Sequence, residues 1–195
     1  MKKIILIIIV FFIVAAGIVY AVQSKQTSDK GVLKMDKKVL VAYFSRTGEQ
    51  YSVGNITEGN TAIIAKMIAE QTNGNLFEIK VAKDNYPSGY MALTEYAKKE
   101  KQQNARPEIV GSVENFADYD TIFIGYPNWW SDMPMPVYTF LDSYDFTGKK
   151  VHHFCTHEGS GGVKREGFAI YGHTAQNDRA EAQKQVSQWL KGLGF

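Results

Sequence analysis

Six consecutive apolar residues, VLVAYF at positions 39–44, restrict the fold of this chain more than any other stretch. A strand buried on one face alternates apolar with polar residues, so an unbroken run belongs to a strand covered on both faces. Residues 121–125 (TIFIG) form a second such run, and 151–155 (VHHFC) and 168–171 (FAIY) read as further strands. Residues 76–81 (LFEIKV) alternate, which suits a strand nearer a sheet edge. Helical spacing fills the intervals. Residues 61–71 place Ile63, Ile64, Met67 and Ile68 on one stripe, and 89–103 turn Leu93, Tyr96 and Ala97 inward before Pro107. Pro134 and Pro136 open a helix whose apolar side is Val137, Phe140 and Leu141, since proline suits a first helical turn. A last helix, about 178–193 with Asn177 as its cap, carries Val186, Trp189, Leu190 and Leu193 on one face. Strands alternating with helices predict an α/β fold, a doubly wound five-stranded parallel sheet with helices on both faces. Ligands of such sheets bind beyond the carboxyl ends of the strands, so the loops after the first, third and fourth strands carry the functional question.

A leader precedes this pattern. Residues 4–22 hold no charge, and 19 residues of helix reach about 28 Å, close to a hydrocarbon core of roughly 30 Å. Lys2 and Lys3 stand before the run, so the positive-inside rule keeps the N-terminus cytoplasmic and sends the remainder outward. The expectation is a transmembrane anchor (1–22), a polar tether (23–37) and an extracytoplasmic domain (38–195). Cleavage as a signal peptide after Val19-Tyr20-Ala21, giving a secreted protein, is the alternative, although the apolar run exceeds the usual length of about 7–15 residues. No cysteine follows the run to accept a lipid.

The 195 residues leave room for one ordinary domain beside the leader. Of 22 basic and 20 acidic residues, five lysines and one aspartate fall within the first 35 positions, so the rest carries 17 against 19, a net of −2. With no basic stripe and no aromatics interleaved with arginine, a nucleic acid partner is not indicated. Cys155 is the sole cysteine, which excludes an internal disulfide and reads as a buried thiol.

The first loop reads Ser45-Arg46-Thr47-Gly48, and after some ten polar residues the next helix opens with Gly59-Asn60-Thr61. Hydroxyls, glycine backbone and the free N–H groups of a helix N-terminus are the donors a phosphate dianion needs, so the two pieces read as one split site. A plain capped helix, with Asn60 or Thr61 as cap, is the alternative. The spacing lacks the GxxxxGK[ST] of a nucleoside triphosphatase. The third-strand loop, Gly125-Tyr126-Pro127-Asn128-Trp129-Trp130, puts two indoles side by side, and neighbours in extended chain point opposite ways. At least one of them faces outward or onto a ligand, which a large flat heteroaromatic would suit; a sheet-edge cap or a protein contact patch is the alternative. The fourth loop, Thr156-His157-Glu158-Gly159-Ser160-Gly161-Gly162, lets main chain approach a ligand closely. It lacks the G-x-S-x-G elbow of a serine hydrolase, and a metal site at His153, Cys155 and His157 is disfavoured because a buried strand hides those side chains.

These three loops together, S-x-T-G with a delayed G-N-T, G-Y-P-N-W-W and T-H-E-G-S-G, resemble the short bacterial flavodoxin family across most of residues 39–195. The resemblance implies a flavodoxin-like fold and bound FMN. It implies that Ser45, Arg46, Thr47, Gly48, Asn60 and Thr61 hold the phosphate, that Pro127, Asn128, Trp129 and Trp130 wall the isoalloxazine, and that Thr156, His157, Glu158, Gly159, Ser160 and Gly161 line its pyrimidine side. It also marks a departure: only residues 156–166 separate the fourth and fifth strands, fewer than the dozen or so of a parallel crossover, so the usual crossover helix is expected to be missing.

The function expected from this likeness is redox, with the cofactor carrying the chemistry and no residue needed as acid or base. An electron carrier docking a redox partner protein and a reductase turning over NAD(P)H against a quinone-like small molecule both stay open; the near-neutral domain leans away from the strongly acidic carrier type. Outside the membrane a quinol or another flavoprotein is the expected donor. Tyr86 and Tyr90 are candidates for a substrate mouth. A non-redox binding or scaffold module without flavin is the rival, whereas a phosphoacceptor receiver is excluded by the lack of carboxylates after the first strand.

Overall fold

The computed structural model of the protein describes residues 38–159 and 167–195. The expected anchor and tether, residues 1–37, lie outside the described residues. The first half of the domain runs β1 (Val39–Tyr43), β2 (Gly48–Gln50), β3 (Gly54–Ile56), α1 (Asn60–Thr72), β4 (Asn75–Glu78) and α2 (Tyr90–Gln102). The second half runs β5 (Thr121–Pro127), α3 (Met135–Asp142), β6 (Lys150–His157), β7 (Gly167–Tyr171), α4 (Gly172–Asn177) and α5 (Arg179–Gly192).

Five strands form one parallel sheet in the order β4-β1-β5-β6-β7. The order reverses at β1, where the chain first builds outward to β4 and then returns on the other side to β5; ligand sites of doubly wound sheets open at such a switch point. β1 is buried along its whole length because its two faces meet two different cores. Val39, Val41 and Tyr43 join Phe123, Phe154 and Ile170 beneath α1 and α5, while Leu40, Ala42 and Phe44 join Ile122, Ile124 and Tyr126 on the side of α2 and α3. Burial on both faces is the physical reason for the unbroken apolar run. Each such Ile, Leu or Phe contributes roughly 1.5–3 kcal/mol relative to exposure.

Several boundaries differ from the sequence expectation. β4 ends at Glu78 rather than 81, because the chain then leaves β1: Val110 N–H donates to the Lys80 carbonyl (2.7 Å) and Ala82 N–H to that of Glu108 (2.8 Å). The last helix is capped by Asp178, whose carboxylate accepts from Glu181 N–H at 3.0 Å, and not by Asn177, which ends the short α4. Neither α4 nor the β2–β3 hairpin was foreseen. β7 pairs with β6 in parallel over a nine-residue connection, 158–166. Residues 160–166, on which the expected absence of a crossover helix falls, lie outside the described residues.

Gly125 is the point where β5 must stay bare. The ring of Phe154, its register partner on β6, lies across it, and a Cβ at 125 would fall inside that ring. Gly125→Ala is therefore expected to destabilise the domain by about 1–3 kcal/mol through overpacking, read as a lower urea midpoint with unchanged m-value.

Candidate functional site

The first four N–H groups of a helix have no partner within it. In α1 one of them is satisfied by a side chain, Ala62 N–H donating to Ser45 Oγ (3.1 Å), and the helical ladder itself begins with Ile63 N–H on the Gly59 carbonyl (3.2 Å). The N–H groups of Asn60 and Thr61 carry no hydrogen bond among the described residues. Gly59 brings the 45–46 turn this close, since a Cβ there would collide with Ser45 Oγ and lie 2.6 Å from the Arg46 carbonyl. The two pieces of the split sequence signature thus meet. Arg46 spans the same corner, its guanidinium bound to Asp84 (2.8 Å) and laid over the Tyr86 ring at 4.9 Å. Its Nε is buried without a hydrogen-bond partner among the described residues. Arg46, with a buried guanidinium N–H lacking an acceptor among the described residues, and the two helix-terminal residues line one cavity, and such donors suit a phosphate.

The helix terminus is fixed from behind. The hydroxyls of Thr61 and Thr156 share a buried hydrogen bond of 2.8 Å, tying α1 to the end of β6. Gln176 on α4 donates to the Glu58 carbonyl (2.6 Å) and to Asn60 Oδ1 (2.8 Å). At Gly172 a side chain would strike the Asn60 amide and Glu158, which explains a glycine at the start of α4.

Beyond β5, Asn128 N–H donates to the Thr156 carbonyl (2.8 Å), so the aromatic loop is anchored to β6 as well. Trp129 and Asp132 exchange backbone hydrogen bonds of 3.0 and 3.1 Å around a two-residue turn, with Trp130 and Ser131 both in the left-handed region (φ 55° and 58°). The two indoles diverge as their adjacency required. Trp129 packs edge-on against Phe44 and Tyr86, with centroids 5.5 and 5.6 Å away. Trp130 turns to α2, donating its Nε1–H to the Thr94 carbonyl (2.9 Å) and receiving Lys98 Nζ 4.9 Å from its ring centroid.

At the end of β6, Gly159 N–H donates to His157 Nδ1 (3.2 Å), which leaves the ring proton on Nε2. Burial holds the His157 pKa below its ordinary value, with His173 adding to that and Glu158 opposing it. His157 is accordingly neutral at pH 7. Glu158 accepts from His173 N–H (2.7 Å) and pairs with His173 Nδ1 (2.8 Å).

A cavity of about 510 Å³ joins these parts, within the roughly 300–1,000 Å³ of small-molecule sites. Of the residues singled out from sequence, it gathers Ser45, Arg46, Asn60 and Thr61, then Pro127, Asn128, Trp129 and Trp130, then Thr156, His157 and Glu158. Thr47, Gly48 and Gly159 are not on its wall, and Ser160 and Gly161 lie outside the described residues. Tyr90 lines it; Tyr86 does not, being buried below with its hydroxyl on Glu100 (2.8 Å), and burial followed by that carboxylate drives its pKa upward. The opposite wall was missed in the sequence. It comprises Glu49, Gln50 and Tyr51 of the hairpin and Met91, Leu93, Thr94, Glu95 and Ala97 of α2. The available signal was Gly48 and Gly54 bracketing a short polar stretch, both with positive φ (87° and 94°).

The family model described as flavodoxin matches residues 38–171. Among solved structures, a candidate flavoprotein from Bacteroides uniformis is 30% identical with a TM-score of 0.62, over 80% of this chain and 98% of that one. One from Bacteroides eggerthii is 27% identical with a TM-score of 0.61, over 81% and 98%. A flavoprotein from Lactobacillus acidophilus, solved in complex with FMN, shares the fold at 24% identity and a TM-score of 0.55, over 79% and 99%. No curated protein matches the chain. Because the matched segment runs from the first strand through the last strand of the sheet and includes each loop that closes the cavity, the chain belongs to the flavodoxin family.

Proposed function

We propose that this is an FMN-binding redox protein, tethered outside the membrane, that delivers electrons to a quinone-like acceptor. One observation carries the reading: a single cavity has a phosphate cradle at one end and an indole-bearing turn at another, both on the carboxyl rim of the sheet. The residues present fit the cofactor. Asn60, Thr61 and Arg46 supply the donors that a phosphate takes up, and the dipole of α1 favours its charge. Trp129 offers a flat apolar wall held by Phe44 and Tyr86, while neutral His157 and the backbone near Thr156 border the remaining polar edge. Bound FMN supplies the ability to take up and release one or two electrons. The chain's own residues bind it, orient it and restrict solvent; none needs to donate a proton. The near-neutral domain supports reduction of a small acceptor over docking of a carrier partner.

The placement outside the membrane rests on residues 1–22, with their uncharged run and preceding lysines. No helix among the described residues is long and apolar enough to cross a membrane.

The purified full-length chain mixed with FMN is expected to retain a yellow chromophore through gel filtration and to release it, as FMN, on denaturation; a chain that stays colourless with added FMN overturns the cofactor reading. Gly59→Ala forces the 45–46 turn away from α1 and is expected to weaken FMN binding by roughly tenfold or more, about 1.4 kcal/mol, while riboflavin, lacking the phosphate, binds as before. In spheroplasts, added protease is expected to digest the domain while cytoplasmic proteins survive, and protection of the domain would overturn the outward orientation.

A further inference from the structure

The wall opposite the phosphate cradle has a composition of its own. Tyr51, Met91 and Trp130 are 57%, 72% and 45% exposed, yet these three large side chains, from the hairpin, α2 and the turn after β5, converge on one cavity. Exposed apolar groups gathered at a concave site mark a binding surface. Tyr51 and Tyr90 stand with ring centroids 5.6 Å apart and planes tilted by 30°, so the hairpin and α2 are joined by a ring contact on the cavity wall. Trp130 is held in place: besides its bond to Thr94, its carbonyl accepts from Lys101 Nζ (2.7 Å). A wall fixed before binding loses little freedom when a flat ring meets it.

The charges of this wall have one sign. Glu49 and Glu95 both lie on it. The Glu49 carboxylate accepts from Tyr90 N–H (2.9 Å) at the start of α2, so the one helix terminus on this side is already stoppered by an anion. Glu95 has no hydrogen bond or ion pair among the described residues. Arg46, the cation of the cavity wall among the described residues, belongs to the phosphate end and is paired with Asp84. Lys98, over the Trp130 ring at 4.9 Å, and Lys101, drawn to Asp132 (3.3 Å), do not line the cavity.

We infer that the part of the cavity walled by Tyr51, Tyr90, Met91 and Trp130 is the acceptor subsite, and that Glu49 and Glu95 restrict it to flat aromatic molecules without negative charge. A neutral quinone enters; a sulfonated quinone or a nicotinamide dinucleotide, with its phosphates, is turned away. The inference rests on the reading that FMN fills the other end.

The test uses the full-length chain in detergent and a matched pair of probes, 1,4-naphthoquinone and 1,4-naphthoquinone-2-sulfonate, with binding followed by tryptophan fluorescence and calorimetry rather than turnover. The neutral ring is expected to bind at least about tenfold more tightly than the sulfonate. Glu95→Lys is expected to narrow that ratio mainly by tightening the sulfonate, and Tyr51→Ala to weaken the neutral ring about tenfold with FMN affinity unchanged. Glu95→Lys, an exposed substitution, keeps the test decisive should Tyr51→Ala disturb the hairpin. Equal binding of both probes, or a ratio that Glu95→Lys leaves alone, overturns the subsite. FMN is titrated in the same sample. A chain that takes FMN but treats the probes alike loses only the subsite, and one that separates the probes without taking FMN keeps a charge-selective ring site but loses the cofactor reading and with it the acceptor role.

Discussion

Two backbone N–H groups at the start of α1, those of Asn60 and Thr61, carry no hydrogen bond among the described residues, and much of the surrounding structure holds them at the rim of the cavity. A serine or aspartate cap could have taken up the Thr61 N–H; instead the cap position is Gly59, which has no side chain to offer. Its bareness lets Ser45 reach Ala62 N–H and brings Arg46 to the same corner. An anion that accepts from such donors gains charge-assisted hydrogen bonds worth about 1.5–3 kcal/mol each. The buried Thr61–Thr156 bond and the Gln176 clasp hold the terminus at the sheet's rim, so the energy is available at a defined place.

The split in the phosphate signature has a structural meaning. The ten residues between its halves form the β2–β3 hairpin, which crosses to α2 and closes the cavity from the other side through the Glu49–Tyr90 bond and the Tyr51–Tyr90 ring contact. One excursion of the chain therefore leaves the phosphate end intact and supplies a second wall. The exposed ion pairs near it, such as Lys66–Glu58 and Arg179–Glu58, contribute at most about 1 kcal/mol each at the surface. Their use is to orient residue 58 where the hairpin returns to α1.

Legibility in the sequence followed burial. β1 and β5 are enclosed on two faces and wrote unbroken apolar runs; α1, α2 and α5 are enclosed on one and wrote stripes. The order of loops around the rim came with them. The hairpin left no such mark, since its three-residue strands, GEQ and GNI, pair only with each other and bury no face. α4 is six residues long, too short for a period to show, and it displaced the expected cap by one residue to Asp178. Tyr86 and Tyr90 looked alike in sequence, each beside a proline or glycine. What separates them is tertiary: Glu100, three turns into α2, draws the Tyr86 hydroxyl below the cavity floor, and nothing local to Tyr86 announces it.

The Trp129-Trp130 pair shows how the rim holds a conformation the chain would not choose alone. A bulky residue with positive φ is disfavoured, and Trp130 and Ser131 in succession cost of order 1–3 kcal/mol each. A relaxed extended path would carry the loop off the rim, leaving Trp129 without its place against Phe44 and Tyr86. The strained turn reverses the chain at once, and Trp130 is gripped from α2, its indole by the Thr94 carbonyl and Lys98 and its backbone carbonyl by Lys101. These contacts offset the strain where it arises. Trp130 thus acts as the lever that aims Trp129 while lining its own part of the cavity, so the two indoles divide the labour between two regions of one site.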